Sequence, residues 1–259
     1  MDLARELVPY ALTASLTFSR TAGFVVAAPF PGRHVAATQR VSLALAIAWM
    51  AGVVLPPLSW TPGLDARTVT AAVTEFALGV TMGAAFRLVF SAAEVLSQNL
   101  SQSVGLSAPS LFNPTIETQE SALGEAITLM AMLLALAMGA HRIAIGWLLA
   151  SFNALPVGAS VSLHLATPLF VDLAAAALTV GLRLALPVVA VALATQVALA
   201  MIARAAPALQ LFNVGLSVLI AAGTMVLMAS LGDVTLGLGD HLATLSPTLD
   251  RLLVELAPP

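Results

Sequence analysis

Apolar residues run along this chain in blocks long enough to cross a lipid bilayer, and polar residues gather between them. The first block extends from about Leu7 to Phe30, interrupted by Arg20, and exceeds the ~20 residues that a spanning helix needs. Pro29, Pro31 and Gly32 end it. Arg33, His34, Gln39 and Arg40 then form the most basic loop, which the positive-inside tendency places in the cytoplasm. A second block covers about Val41 to Leu58, and a third starts near Val69 and grows more polar towards Val104. The fourth runs from about Ala122 to Leu149, with Gly139, His141 and Arg142 near its middle or at a break. The fifth, Pro168 to Arg204, is longer than one span and carries Arg183 and Pro187, a residue that kinks helices. The sixth is Leu211 to Leu231. Residues 232–259 read as an acidic tail in which Leu245, Leu249, Leu252, Leu253 and Leu256 mark a short surface helix. The pattern predicts an all-α integral membrane protein, one domain over residues 1–259. It is a helical-hairpin bundle of about six hydrophobic segments, some of them long and broken.

Two features stand out from the apolar background. Ser97 to Gly124 is the longest polar interruption, and its Gly, Pro and Asn residues stop helices. Just before it, at 100° per residue, Arg87, Ser91, Glu94, Gln98, Ser101 and Gln102 share one sector of the third helix, opposite Leu88, Val89, Val95 and Leu96. An intramembrane Arg or Glu costs several kcal/mol unless it faces protein or water. This face is therefore expected to line an interface or a polar conduit, with Arg87 and Glu94 satisfied together. The plainer alternative is that the distal half of the helix leaves the bilayer. Gly79 and Gly83 form a GxxxG pair that permits close helix contact.

Composition sharpens the class. The 259 residues are 59% hydrophobic and 9% charged, with a mean hydropathy of +0.99, far above what a soluble domain keeps in solution. All ten basic residues are Arg and the net charge is −3, which argues against a nucleic-acid partner. With no cysteine there is no disulfide framework or thiolate metal site. The opening MDLARELVPY lacks the basic flank of a secretory signal, so residue 1 onward reads as mature protein. No phosphate loop, GxSxG elbow, HExxH pair or dinucleotide fingerprint occurs, and no cofactor is implied. Glu75, Glu94 and Asp172 are isolated acids that only tertiary packing could pair. His141 suits a proton relay by residue type, though an interfacial or packed histidine is the plainer reading. An enzyme is thus the weakest reading. A small-molecule permease has about six spans and a polar helix face in its favour, and the missing internal repeat against it.

Three runs then carry a resemblance. QNLSQSVGLSAPSLFNP is followed by SALGEAITLMAMLLALAMGAHRIAIGWLLASFNALPVG and later by ARAAPALQLFNVGLSVLIAAG, with APFPG at Ala28 to Gly32. In this order they resemble the FliR family of the flagellar type III export apparatus, whose injectisome counterpart is the SctT family. The family's loop falls on Gly105, Leu106, Ser107, Phe112, Asn113 and Pro114. Asn113 stands where the family more usually has Asp, losing a charge but keeping the capacity to cap the following turn. His141, Ser151, Phe152, Leu155, Pro156 and Gly158 take the second motif, which is closer to flagellar than to injectisome members. Arg204, Pro207 and Gly215 take the third.

The resemblance implies a non-enzymatic subunit of a helical export gate in the bacterial inner membrane, at the flagellar basal body. Its implied partners are FliP-like and FliQ-like subunits, with FlhB and FlhA alongside, and its cargo is unfolded flagellar proteins. The central loop would help plug the closed pore. The physical reading agrees: a Gly/Pro-punctuated loop can occupy a lumen but cannot face lipid, where its backbone groups lack partners. Leu106, Leu111 and Phe112 would then form the apolar constriction.

Overall fold

A computed structural model describes residues 2–30, 35–55, 66–105, 122–159, 166–205 and 211–256, which form eight helices and no strand among them. They are α1 (Asp2–Ala27), α2 (Ala37–Val54), α3 (Ala66–Ser103), α4 (Ala122–Ala137), α5 (Ala140–Ala154), α6 (Thr167–Ala205), α7 (Leu211–Ala243) and α8 (Leu245–Leu256). The chain is an all-α membrane protein. Among the described residues, α3, α6 and the stretch Gly215–Leu256 are long and apolar enough to cross a membrane, and α4 with α5 makes a fourth if the pair is one broken span. The other two hydrophobic blocks lie in α1, where Thr13, Thr17, Arg20 and Thr21 interrupt the apolar run, and in the 18-residue α2.

Where the elements depart from the hydropathy blocks, the reason is local. The fourth block is two helices because Gly139 takes φ +79°, a conformation that side chains resist, and its carbonyl then accepts the N–H groups of Arg142 and Ile143. The sixth block does not stop at Leu231. α7 continues to Ala243, because Val234, Leu238 and Leu242 keep one buried stripe while Asp233 and Asp240 stay exposed. The basic loop residues Arg33 and His34 lie outside the described residues.

The helices cluster into two compact units, one of Met1–Val89, Gly139–Leu173 and Thr244–Pro259, the other of Phe90–Met138 and Ala174–Ala243. In the first, α1 and α3 approach backbone to backbone. A Cβ on Gly23 would collide with the Phe76 carbonyl, and one on Gly79 with the Arg20 carbonyl. A Cβ on Gly83 would come within 2.6 Å of the Phe24 carbonyl. Ser19 donates to Ala72 O at 2.8 Å, and Thr21 donates to Ala44 O of α2 at 3.2 Å. The five leucines of α8 are buried within the chain, and α8 contacts α5. Trp147 Nε1 donates to Leu249 O at 2.8 Å. Trp147→Phe removes this bond and also shrinks the buried indole to a phenyl ring, and is expected to cost about 2–3 kcal/mol, seen as a lower melting temperature in detergent.

The second unit has its own apolar core. Ala93, Leu96, Leu100 and Val104 form the buried stripe at the end of α3, packed with Ile127 and Ala131 of α4, Ala185 and Val188 of α6, and Leu227, Val234 and Leu238 of α7. Gly181 lets α6 reach the Ala92 carbonyl, where a Cβ would come within 2.7 Å.

Candidate functional site

The largest fully buried side chain of the first unit is a charged one, Arg20, and it organises residues from three helices. α1 places it beside Thr17 and Thr21, each wholly buried, with the Thr17 hydroxyl bonded back to the Thr13 carbonyl at 2.9 Å. α3 brings Glu75, 3% exposed. The two meet as a fork: Arg20 Nε donates to Glu75 Oε2 at 2.5 Å and Nη2 to Oε1 at 3.0 Å. The remaining guanidinium protons go to the end of α5, where Nη1 donates to Ser151 O at 3.2 Å and Ser151 Oγ at 3.3 Å, and Nη2 to Leu155 O at 2.9 Å. All five donors of the guanidinium are thereby used. The Phe152 ring lies 4.4 Å from its central carbon, a cation–π distance.

Glu75 is satisfied from the same side. Its Oε1 also accepts the Gly158 N–H at 2.8 Å, and Gly158 sits at φ +81°, where any side chain would be strained. Phe24 completes an aromatic shell, with its ring 6.2 Å from Phe86 and 6.4 Å from Trp147. The cluster is charge-balanced, and every donor of its guanidinium is hydrogen-bonded. Such a centre holds elements in register. Among the described residues no three His, Asp or Glu side chains gather as metal ligands.

The expected site residues distribute as follows. Ser151, Phe152 and Gly158 belong to this centre, and Pro156 is exposed on the same turn. Gly79 and Gly83 lie on the α1 contact. Arg87, Gln98 and Gln102 are exposed and Glu94 is half-buried, whereas Ser101 turns inward and donates to Ser97 O at 2.8 Å. His141 and Arg204 are exposed, and Gly215 is buried beside Leu199. Gly105 ends the α3 stretch at φ +78°, next to Leu216 and Leu219. Leu106, Ser107, Leu111, Phe112, Asn113, Pro114 and Pro207 lie outside the described residues.

Sequence reasoning passed over Arg20 and Glu75, the two residues at the centre. Arg20 read as an interruption of the first block and Glu75 as an isolated acid. The signal was present in that each is a single charge inside an apolar run and needs a partner there. Their 55-residue separation concealed which partner it was.

These features define a helical membrane protein, and similarity supplies its kind. Residues 11–244 match the family of bacterial export proteins, family 1, and the chain belongs to that family. It is 28% identical over 236 residues to the flagellar biosynthetic protein FliR of Aquifex aeolicus, covering 90% of each chain. It is 29% identical over 214 residues to FliR of Pectobacterium carotovorum, covering 81% of this chain and 80% of that one. With FliR of Caulobacter vibrioides it shares 26% over 228 residues, 86% and 90% of the two chains.

Proposed function

We propose that this chain is the FliR-type subunit of the flagellar type III export gate. It joins FliP-like and FliQ-like subunits in a channel for unfolded flagellar proteins, beside FlhB and FlhA, as a multi-pass protein of the bacterial inner membrane. The observation that carries this reading is the match to FliR proteins across 80–90% of their length. The exposed apolar side chains of α6 support it. They run from Val171 to Ile202 with Asp172 and Arg183 exposed among them, and a charged side chain on an apolar span is costly unless it faces protein or water. Neighbouring subunits covering part of this face would supply that surrounding.

In this assembly the loop from Gly105 to Pro114 helps plug the closed pore, with Leu106, Leu111 and Phe112 forming its apolar constriction. The exposed Arg87, Gln98 and Gln102, with Glu94, line an interface or the conduit. Gly79, Gly83, His141, Arg204, Pro207 and Gly215 serve hairpin packing and assembly. Deleting Gly105 to Thr118 is expected to leave the gate assembled with its FliP-like and FliQ-like partners while raising ion leakage across the membrane. Unchanged leakage through an assembled gate refutes the plug. Stable purification of the chain alone with a bound small solute refutes the gate.

A further inference from the structure

The contact of α1 with α3 does not need the Arg20–Glu75 pair. Gly23, Gly79 and Gly83 already bring the two backbones together, and Ser19 bridges them to Ala72. What only the pair supplies is a set of bonds to a third element. Two carbonyls at the end of α5, Ser151 O and Leu155 O, accept from Arg20, and one turn N–H, that of Gly158, donates to Glu75. The last carbonyls of a helix have no partner within it. Ser151 O does receive the Leu155 N–H at 2.8 Å, but Leu155 is fully buried, and a buried carbonyl away from water has to find a donor. Arg20 therefore caps α5 from another helix, and Glu75 anchors the turn that follows.

We infer that Arg20 and Glu75 are positioning residues. They fix the Leu155–Gly158 turn on the α1–α3 pair, and export depends on that turn being held rather than on buried charge as such. The second half of this statement rests on the export-gate reading, and the first half stands without it. A buried ion pair by itself is a poor explanation for stability, since an apolar pair of similar volume is often as stable or more so. The capping bonds have no apolar substitute.

The test uses R20M/E75L, which removes both charges together, on the full chain in lipid nanodiscs. The expected result is normal accumulation and wild-type amide exchange within α1 and α3. Exchange at Gly158 and across 155–159 should be about 10- to 100-fold faster, the range for losing hydrogen bonds to charged groups. Wild-type exchange at Gly158, or equal loosening of α1 and α3, overturns the inference. R20K is the second variant should the first fail to accumulate. A lysine keeps the ion pair, but its single ammonium cannot serve Glu75, Ser151 and Leu155 in one geometry. Exchange across 155–159 is then expected to rise about ten-fold, and unchanged exchange overturns the inference. In cells lacking their own FliR, the variant whose turn is loosened is expected to secrete at least ten-fold less flagellar protein than the wild-type chain. Normal secretion with a loosened turn overturns the link to export. A wild-type chain that restores no secretion refutes the export reading and leaves the exchange result to decide the capping.

Discussion

Glu75→Leu, with Arg20 left in place, is expected to abolish accumulation of the folded chain in the membrane. The guanidinium of Arg20 is wholly buried and spends two of its five donors on this one carboxylate. Without Glu75 it keeps its charge and loses its counter-charge, and breaking one partner out of a buried pair costs about 3–5 kcal/mol. That is a large share of the about 5–15 kcal/mol that holds a typical folded protein together. The Gly158 N–H loses its acceptor in the same step. Membrane-fraction immunoblots and limited proteolysis measure the result. R20M/E75L, which leaves no lone charge, is expected to accumulate normally, so the two substitutions are strongly non-additive. Equal loss in the single and double variants would contradict this account of the pair.

The second large effect is steric. Gly79→Val puts a branched side chain where even a Cβ collides with the Arg20 carbonyl, and Gly23→Val does the same against the Phe76 carbonyl. Backbone atoms cannot turn aside as a flexible side chain would, so α1 and α3 have to separate. That movement withdraws Arg20 from Glu75 as well as breaking the Ser19–Ala72 bond. The expected loss is about 3 kcal/mol or more, the upper end of overpacking costs, read as a lower melting temperature of the purified protein. Gly52→Ala is the matching control. Nothing lies within 4 Å of its Cβ position, so it is expected to be neutral or to stabilise α2 by up to about 1 kcal/mol through helix propensity. A Gly79 variant that melts with the Gly52 control would show that the close approach is not required.

Much of the architecture was legible from the chain alone. Lipid demands long unbroken apolar runs, so the block from Pro168 to Arg204 announced α6, Thr167–Ala205, nearly to the residue. Gly139 marked a position where a break was possible, since glycine accepts the positive φ found there at no steric cost, but Gly23, Gly79 and Gly83 stay helical, so residue type alone did not decide it. The Gly79–Gly83 pair announced a close helix contact but not with which helix. Its counterpart, Gly23, sits in α1, far away in sequence.

The chain by itself thus determined the class: helices for a membrane, their approximate ends, and the motifs that resemble an export family. These follow from local physics, because hydropathy, turn chemistry and backbone freedom act within a few residues. Only the tertiary structure decided which charges meet. Spacing along one helix could relate Arg87 only to Glu94 of the same helix, and the fold also brings Arg20 to Glu75 from a different helix and turns both towards Ser151, Leu155 and Gly158. A buried charge must find a partner somewhere. The partner is chosen by helix packing, and the glycines that permit that packing act across distances in the chain that no local pattern spans.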